Sequence, residues 1–321
     1  MDGSKTFSVL GCGTATVDVL LACDYLPGPD QFEMIRSRKV VPGGSCANML
    51  VTLARLGARA GQLARIGDDS YGRLFCRDLQ EMSVDTSRLI TVPGGSTMHT
   101  YIFATGSGEH AIYADMGDTI MSLTPDELPV DILEGTDLFY ADLFPAPPAI
   151  HLAGLCREKG IPVVFNLQCP VPIMEKIGVS RGEILEMLSL ADLFISGREG
   201  YRSLTGTGDP REAVAVLLKS VDPALGFVCT AGEKGAVWLA GGTWERAASY
   251  PVEIRDTTGA GDSFLGALIW SYMACGESRR EALKFASAAA ALKCTQEGPR
   301  LQGGLTGIRD LQKRYASRVC D

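Results

Sequence analysis

The chain has 321 residues, of which 46% are hydrophobic and 21% are charged, so it can bury the core of one large α/β domain or of two ordinary ones. Its formal net charge of -8 at pH 7 argues against a nucleic-acid-binding surface, and no nucleic-acid partner is expected. The polar start of the chain and the shortness of its apolar runs predict neither a secretory signal nor a membrane-spanning helix.

Ten cysteines and three histidines are spread singly along the chain. None of the cysteines stands at the spacing of a zinc or redox pair, so a metal centre built from them is not expected. We interpret them as buried free thiols, which indicates a reducing, cytoplasmic location.

Two short apolar runs open the chain, Phe7–Gly11 and Thr16–Ala22, and both are predicted to be strands of a buried sheet. The second run contains Asp18, whose charge needs a partner if it is buried. Asp18 is therefore either a structural aspartate bonded to nearby amides or an acceptor for ligand hydroxyls. The pair Gly11 and Gly13 is a weak signal for dinucleotide binding, because no third glycine and no helix follow it.

Three segments predict a small separate sheet. Residues 25–41 alternate loosely in polarity, and Thr97–Thr105 and Ala111–Ala114 flank a glycine-containing turn that is typical of a hairpin. Such a sheet has one face to cover, so it would either close over a site as a lid or pair with a second subunit. A homodimer through this sheet is therefore a further prediction.

Gly43 and Gly44 precede a predicted helix over residues 46–56, which ends at Gly57. The glycine pair would let the backbone approach a ligand closely. Asn48 lies in the first turn of this helix, where it either caps the helix or contacts a ligand.

Strand-like and helical runs alternate regularly from Asp137 onward, which predicts a mainly parallel sheet with helices on both faces. The predicted strands are Ala60–Ile66, Leu138–Ala141, Pro162–Asn166, Leu193–Ser196 and Leu225–Thr230. The predicted helices are Ser70–Met82, Pro148–Glu158, Arg181–Leu190, Pro210–Lys219, Arg279–Cys294 and Thr306–Ser317. Ligands of such sheets bind beyond the carboxyl ends of the strands. The residues that fall there are Asn166, Ser196, Glu199, Thr230 and Gly232.

The stretch from Asp256 to Phe264 is the strongest chemical signal. Gly259, Ala260 and Gly261 precede Asp262 and an apolar run that predicts a buried helix. The free N–H groups and the positive dipole end of such a helix attract a phosphate, and small side chains let it approach. Asp262 would then act as the base of phosphoryl transfer to a hydroxyl, with a pKa kept low by the dipole. The alternative is an ordinary glycine-rich turn in which Asp262 only starts the helix.

Two signatures occur in order: Gly43-Gly44-Ser45-Cys46-Ala47-Asn48, with the later Gly57 and Gly67, and Asp256-Thr257-Thr258-Gly259-Ala260-Gly261-Asp262. With them the chain resembles the ribokinase-like (PfkB) family of carbohydrate and nucleoside kinases, along nearly its whole length. The resemblance implies one kinase domain over residues 1–321. Its fold class would be α/β, a three-layer α/β/α core with a mainly parallel sheet plus a small β-sheet lid formed by about residues 24–41 and 96–116.

The resemblance also implies a role for each matching residue. Asp262 would take the proton from the acceptor hydroxyl, and the anion hole for the transferred phosphoryl group would be Gly259, Ala260 and Gly261. The residues implied to bind the sugar are Asp18, Gly43, Gly44 and Asn48. Those implied to contact ATP are Ser196, Glu199, Thr230 and Gly232. Glu199 would organise Mg²⁺ through water, and Asp256 and Thr258 would bind a monovalent cation such as K⁺.

Ser196 departs from the family pattern, in which Asn usually stands three residues before the acid that Glu199 matches. Serine is shorter, so the organisation of metal and phosphate there would be weaker or mediated by water. The predicted function is Mg-ATP-dependent phosphorylation of a hydroxymethyl group on a sugar or sugar-like molecule. A neutral acceptor is favoured over a phosphorylated one, because Thr97–Tyr101 contains no Arg or Lys. The alternative is that Arg36, Arg38 or Lys39 folds inward and binds a phosphorylated sugar. The alternatives are a nucleoside kinase of the same fold, a non-catalytic sugar- or nucleotide-sensing protein and, less supported, a Rossmann dehydrogenase.

Overall fold

The computed structural model describes residues 6–315, which form two β-sheets and the helices packed around them. The strands are β1 Ser8–Cys12, β2 Thr16–Cys23, β3 Ser37–Gly43, β4 Arg59–Gly67, β5 Leu89–Val92, β6 His99–Thr105, β7 His110–Asp115, β8 Leu138–Ala141, β9 Val163–Leu167, β10 Leu193–Gly197, β11 Gly226–Thr230, β12 Ala236–Ala240 and β13 Thr243–Ala247. The helices are α1 Ser45–Arg55, α2 Ser70–Glu81, α3 Ala146–Lys159, α4 Val171–Lys176, α5 Arg181–Leu190, α6 Arg198–Thr205, α7 Pro210–Leu217, α8 Ala260–Ile269, α9 Arg279–Cys294 and α10 Leu305–Tyr315.

The large sheet has nine strands in the order β13-β12-β11-β10-β9-β8-β1-β4-β5. Pairing is parallel from β5 to β11, whereas β12 and β13 add an antiparallel edge. The five strands predicted from residue 60 onward are confirmed, and so is the α/β class with a mainly parallel sheet. The register places the ends of β9, β10 and β11 side by side, which brings Leu167, Gly197 and Thr230 to one edge.

The core under these strands is aromatic. Phe165, Phe194 and Phe227 stand on β9, β10 and β11, and all three are buried. The ring centroid of Phe194 lies 5.4 Å from that of Phe165, 6.3 Å from that of Phe227 and 5.3 Å from that of Tyr201. Such tilted and edge-on contacts add to the free energy of burying each ring, and they hold the three strand ends at fixed positions.

The small sheet has four strands in the order β3-β2-β6-β7. The run Thr16–Ala22 therefore belongs to this sheet, and its assignment to the buried sheet was wrong. An apolar run predicts a strand but does not select its sheet, and here β2 is bracketed by β3 and β6. Of residues 25–41, only those from Ser37 onward form a strand.

The helices form two groups that flank the large sheet: α1, α8, α9 and α10 contact one another, and α3 to α7 contact one another. Helices α1 and α8 approach closely because α8 carries Gly266 at the contact. A methyl group at Gly266 would lie 2.8 Å from the carbonyl oxygen of Met49 and 2.8 Å from Cβ of Thr52. The helix predicted from the apolar run after Asp262 is confirmed: it begins at Ala260, within the three small residues, and ends in a π-helical turn over Trp270–Ala274.

Nine cysteines lie within the described part of the chain and all are free thiols, but Cys275 is exposed. It follows the last turn after α8, where the chain leaves the core, so the expectation of uniformly buried thiols was wrong for this residue.

Within residues 6–315 no helix has the length and apolarity to cross a bilayer. The same range contains no cluster of three His, Cys, Asp or Glu side chains suited to a metal ion. The predicted helix Thr306–Ser317 is confirmed to Tyr315, and its last two residues lie outside the described range.

We expect Gly266→Ala to lower the free energy of unfolding by about 1–3 kcal/mol, because the added methyl group overpacks the contact between α1 and α8. Gly154→Ala in α3 is the matched control, since nothing lies within 4 Å of a methyl group placed there. Its gain in helix propensity should stabilise the fold by about 0.5–1 kcal/mol. Urea unfolding followed by circular dichroism measures both variants. Unchanged or increased stability of Gly266→Ala would contradict the close contact.

Candidate active site

Asp262 lies in the first turn of α8 and is held from the opposite helix. The Ser45 hydroxyl donates to Asp262 Oδ1, and Asn48 Nδ2 donates to Asp262 Oδ2 at 2.7 Å. Both donors lie in the first turn of α1, so the packing of α1 on α8 brings the two signature motifs together. Asn48 thus contacts the carboxylate rather than capping its own helix, for which α1 shows no side-chain bond.

Burial is the main influence on the charge of Asp262, and it raises the pKa of this carboxyl group. The hydrogen bonds from Ser45 and Asn48 and the positive charges of Arg300 and Lys293 lower it, but burial prevails. The low pKa expected from the helix dipole was therefore wrong. A dipole acts through partial charges, and removing a carboxylate from water has the larger effect here.

The two glycines at the start of α8 differ in the space around them. Gly259 has φ of 74°, and a methyl group there would lie 1.9 Å from the carbonyl oxygen of Pro299. Gly261 has nothing within 4 Å of the corresponding position, so the space beside it is open. The N–H of Ala260 donates to Thr257 O at 3.1 Å, which leaves the amides of Gly261 and Asp262 as the helix-start donors without a helical partner.

A cleft of about 470 Å³ opens in front of Asp262, between the large sheet, the small sheet and α8. The proposed site residues that line it are Asp18, Gly44, Asn48, Ser196, Thr230, Thr258, Gly259, Gly261 and Asp262. An adjoining cavity of about 350 Å³ is lined by Ser196, Glu199, Thr230 and Gly232, among others. Gly43 and Asp256, which the resemblance also matches, are not among the described residues that line these two cavities.

Asp18 reaches the cleft from β2. Its carboxylate accepts a hydrogen bond from Thr100 Oγ1 at 2.6 Å, across the register of β2 and β6. Burial raises its pKa, while the Thr100 hydroxyl and the charge of Arg300 lower it. A methyl group at Gly43 would lie 2.3 Å from Asp18 Oδ2, so the glycine makes room for this carboxylate. The partner of Asp18 is thus a hydroxyl, and one side of the carboxylate faces the cleft.

Ser196 lies at the end of β10, and Glu199 lies in the first turn of α6, which follows it. The buried Ser196 hydroxyl donates to Leu167 O at 2.7 Å, so it is engaged with the neighbouring strand. Glu199 is exposed and pairs with Arg202, whose Nη1 lies 2.9 Å from Glu199 Oε1. The carboxylate therefore borders the second cavity with an exposed partner that is easily displaced.

Sequence reasoning missed several residues that support these side chains. Asn166 Nδ2 lies 3.4 Å from Ser45 Oγ and 3.2 Å from the hydroxyl of buried Tyr140, which extends the network behind Asp262 into the core. Asn166 was placed at the strand ends, but no role was assigned to it. Ser45 lies inside the first signature, so its position next to Gly44 was the signal available.

A second buried acid supports the floor of the cleft. Asp142 accepts hydrogen bonds from the N–H and the hydroxyl of Thr14, and Gln168 Nε2 donates to the same hydroxyl at 2.6 Å. Burial raises the pKa of Asp142 to about 7, against the effect of the Thr14 bonds. Thr14 and Gln168 line the cleft, so Asp142 fixes two polar groups that a ligand would meet.

Arg300 is a buried cation near both carboxylates of the cleft. Its side chain is 9% exposed, and Nη2 lies 2.7 Å from Asp78 Oδ2. Burial lowers the pKa of Arg300, whereas the charges of Asp78, Asp262 and Asp18 raise it. No motif contains this residue, and only the fold places it between three acids.

Arg300→Met should destabilise the fold by about 3–5 kcal/mol near pH 7, because Asp78 is left buried and unpaired. Burial raises the pKa of Asp78, and its ordinary value is restored on unfolding, so the unpaired carboxylate destabilises the fold above its folded pKa. The loss should therefore shrink as the pH falls and Asp78 becomes protonated. The double variant Arg300→Met/Asp78→Leu is the control and should recover most of the loss at pH 7. Urea unfolding at pH 5 and pH 8 measures these values, and a loss that grows toward pH 5 would contradict the assignment.

The sequence of the chain matches the model of the pfkB family carbohydrate kinases over residues 9–302. It is 30% identical over 293 residues to an ATP-dependent ribose-1-phosphate kinase of Halopiger xanaduensis, an alignment that covers 91% of this chain and 93% of that one. It is 28% identical over 270 residues to fructokinase-1 of Oryza sativa subsp. japonica, with 80% and 83% covered. The structure of Arabidopsis thaliana ribokinase with ribose and ATP shares the fold, with a TM-score of 0.82, 22% identity and coverage of 96% and 99%. The chain therefore belongs to the PfkB family of carbohydrate kinases, and its fold is ribokinase-like.

Proposed function

We propose that this kinase transfers the γ-phosphoryl group of ATP to a hydroxymethyl group of a neutral sugar, with Asp262 as the general base. The observation that carries the proposal is the position of the Asp262 carboxylate. It is fixed by Ser45 and Asn48 at the start of α8 and lines a cleft that also contains Asp18.

The environment of Asp262 suits a base. A pKa raised by burial makes the carboxylate a better proton acceptor than an exposed one. A carboxylate has about four lone-pair sites, and Ser45 and Asn48 use one on each oxygen. Acceptor sites therefore remain for the hydroxyl of the sugar, and the two protein donors keep the carboxylate oriented toward it.

The start of α8 suits the transferred phosphoryl group. The amides of Gly261 and Asp262 and the positive end of the helix dipole would stabilise its negative charge, and the open space at Gly261 admits it. Because these donors are fixed by the fold, they need no reorganisation during transfer.

The cleft favours an uncharged acceptor. Among the described residues that line it, none is Arg or Lys, while Asp18 and Asn48 offer groups that bond hydroxyls. Asp18 accepts from Thr100 through Oδ1, which leaves Oδ2 for a sugar hydroxyl. A phosphorylated sugar would bring a dianion toward Asp18 and Asp262, and their repulsion disfavours it.

An apolar cavity of about 490 Å³ provides the nucleotide site. It lies next to Ala260 and Gly261 and is lined in part by Val252, Phe264 and Ala290, which suit the flat base of ATP. Thr230 and Gly232 line both this cavity and the one beside Glu199, so the phosphates would pass between them.

Glu199 fits a Mg²⁺ ion, because this ion binds to proteins through one or two carboxylates, waters and substrate phosphates. Its exposed ion pair with Arg202 is worth only about 0–1 kcal/mol, so the carboxylate is available. When bound, the ion would neutralise charge on the phosphates of ATP. Glu199 would hold it through water.

The replacement Asp262→Asn should lower kcat by at least about 100-fold, because general-base catalysis is lost. Its unfolding midpoint should not fall, since an amide of the same shape removes a buried charge. ADP release is measured with ribose, fructose, 2-keto-3-deoxygluconate, nucleosides and sugar phosphates as acceptors. Asp222→Asn, at an exposed position, is the control for the chemical change.

Near-normal turnover of Asp262→Asn would remove the residue from the role of base. If ADP is released only when a nucleoside is the acceptor, the chain is a nucleoside kinase. If no acceptor does so while sugar or nucleotide still binds, a sensing role replaces the proposal.

Removal of the Ser45 hydroxyl should shift the pH dependence of the reaction. In Ser45→Ala, Asp262 loses a hydrogen bond that lowers its pKa, so the pKa rises further. The acidic limb of the kcat/KM profile reports the base of the free enzyme, and it should therefore move to higher pH. The basic limb serves as the internal control and should stay in place. An acidic limb that is unchanged or moves to lower pH would contradict the role of Ser45.

A further inference from the structure

Lys293 near the end of α9 is a buried cation that the proposed mechanism does not use. Its side chain has no solvent exposure. The ammonium nitrogen lies 2.8 Å from Asp256 O, 3.4 Å from Gln296 O and 3.8 Å from Asp256 Oδ2. Two backbone carbonyls and a carboxylate thus surround one positive charge.

These oxygens belong to the two segments that shape the start of α8. Asp256 begins the turn that leads into Gly259, and its carboxylate also accepts from the N–H of Thr258 at 2.8 Å and of Gly298 at 2.8 Å. Gly259 in turn packs against the backbone of Pro299. The ammonium of Lys293 therefore joins both segments directly behind the proposed anion hole.

A K⁺ ion does not fit beside this ammonium. The resemblance in sequence implied a monovalent cation at Asp256 and Thr258, and such an ion would be held by carbonyl and carboxylate oxygens of this kind. The oxygens of Asp256 already receive a charged donor, and a second cation next to it would meet strong repulsion at low dielectric.

The opposite charges of Lys293 and Asp256 compensate each other. Burial acts to raise the pKa of Asp256, but the bonds from Thr258 and Gly298 and the charge of Lys293 bring it below its ordinary value. Burial lowers the pKa of Lys293, and Asp256 opposes that shift. The buried ammonium thus has a carboxylate and two carbonyls as its partners, as a buried charge requires.

We propose that the Lys293 ammonium is a built-in cation that orders the turn of the anion hole, so that this kinase works without K⁺. The test of this proposal by kcat rests on the proposed function, whereas the test by the thermal unfolding midpoint does not. Lys293 touches no reacting atom and acts as a positioning residue through Asp256 and the turn.

The first test uses the unaltered protein. The thermal unfolding midpoint and the kcat for ADP release are compared in 100 mM KCl, NaCl and tetramethylammonium chloride. The three salts have equal ionic strength, at which the Debye length is about 10 Å, so they screen charges equally. Both quantities should agree among the three salts, with kcat constant within about twofold. Activation of several-fold by K⁺, or a rise in the midpoint specific to K⁺, would overturn the proposal. This comparison needs no variant that folds.

The second test removes the charge. Lys293→Met keeps the volume of the stem, and it should lower the midpoint by about 5–10 °C and kcat by more than about tenfold in every salt. Lys293→Ala opens space for an ion, so its losses should be recovered in part by K⁺ and not by tetramethylammonium. Lys284→Ala is the matched control on the same helix, because Lys284 is 30% exposed and pairs with Glu281 at the surface.

If Lys293→Met has the same unfolding midpoint and kcat as the unaltered protein, the proposed role of the ammonium is wrong. Absence of ADP release with every acceptor would instead refute the proposed function, and the midpoints would still decide the inference about Lys293.

Discussion

The contact between Asp262 and the first turn of α1 is the constraint on which the site depends. A partly buried carboxylate needs hydrogen bonds in place of those it loses to water, and Ser45 and Asn48 supply them from a helix more than 200 residues away in sequence. The donors can reach Asp262 because Gly266 has no side chain, which lets α8 lie close to the backbone and side chains of α1 at Met49 and Thr52. The two signatures are therefore halves of one structure, and the packing of the fold sets the geometry of the chemical groups.

Charge compensation extends this constraint through the region behind the cleft. Arg300 pairs with Asp78, and its charge also acts on Asp18 and Asp262, while Lys293 pairs with Asp256. Buried ion pairs add little net stability, but removing one member leaves an unpaired charge at a high cost. Each acid is thus tied to its cation and to the backbone around it. These pairs place charges of both signs behind the cleft, and under the proposed function such an arrangement would suit electrostatic stabilisation of a transition state.

Sequence reasoning succeeded where a local pattern determines the structure. The strands from residue 60 onward follow from apolar runs, and the start of α8 follows from three small residues before Asp262. It failed where distant parts of the chain meet. Thr16–Cys23 has the composition of a core strand, yet its partners β3 and β6 place it in the small sheet. Arg300 lies in no motif, and the pKa of Asp262 depends on burial that the helix dipole alone does not reveal.

The departure at Ser196 gains a physical meaning from its surroundings. Its hydroxyl donates to Leu167 O, and a methyl group at Gly200 would lie 1.9 Å from Ser196 Oγ, so α6 packs directly on the serine. A longer amide side chain would not fit under this turn without moving the helix. Ser196 therefore joins β9, β10 and α6, and its hydroxyl is already engaged with Leu167 O where the residue borders the cleft. Under the proposed function, the phosphates of ATP would then bind at the turn of Thr230 and Gly232, at Glu199 and at the amides of α8. The amides lie in the turn that the contact of Asp262 with α1 fixes, whereas Glu199 is exposed and pairs with Arg202 at the surface. We therefore expect the proposed phosphoryl site to be more rigid than the proposed nucleotide site.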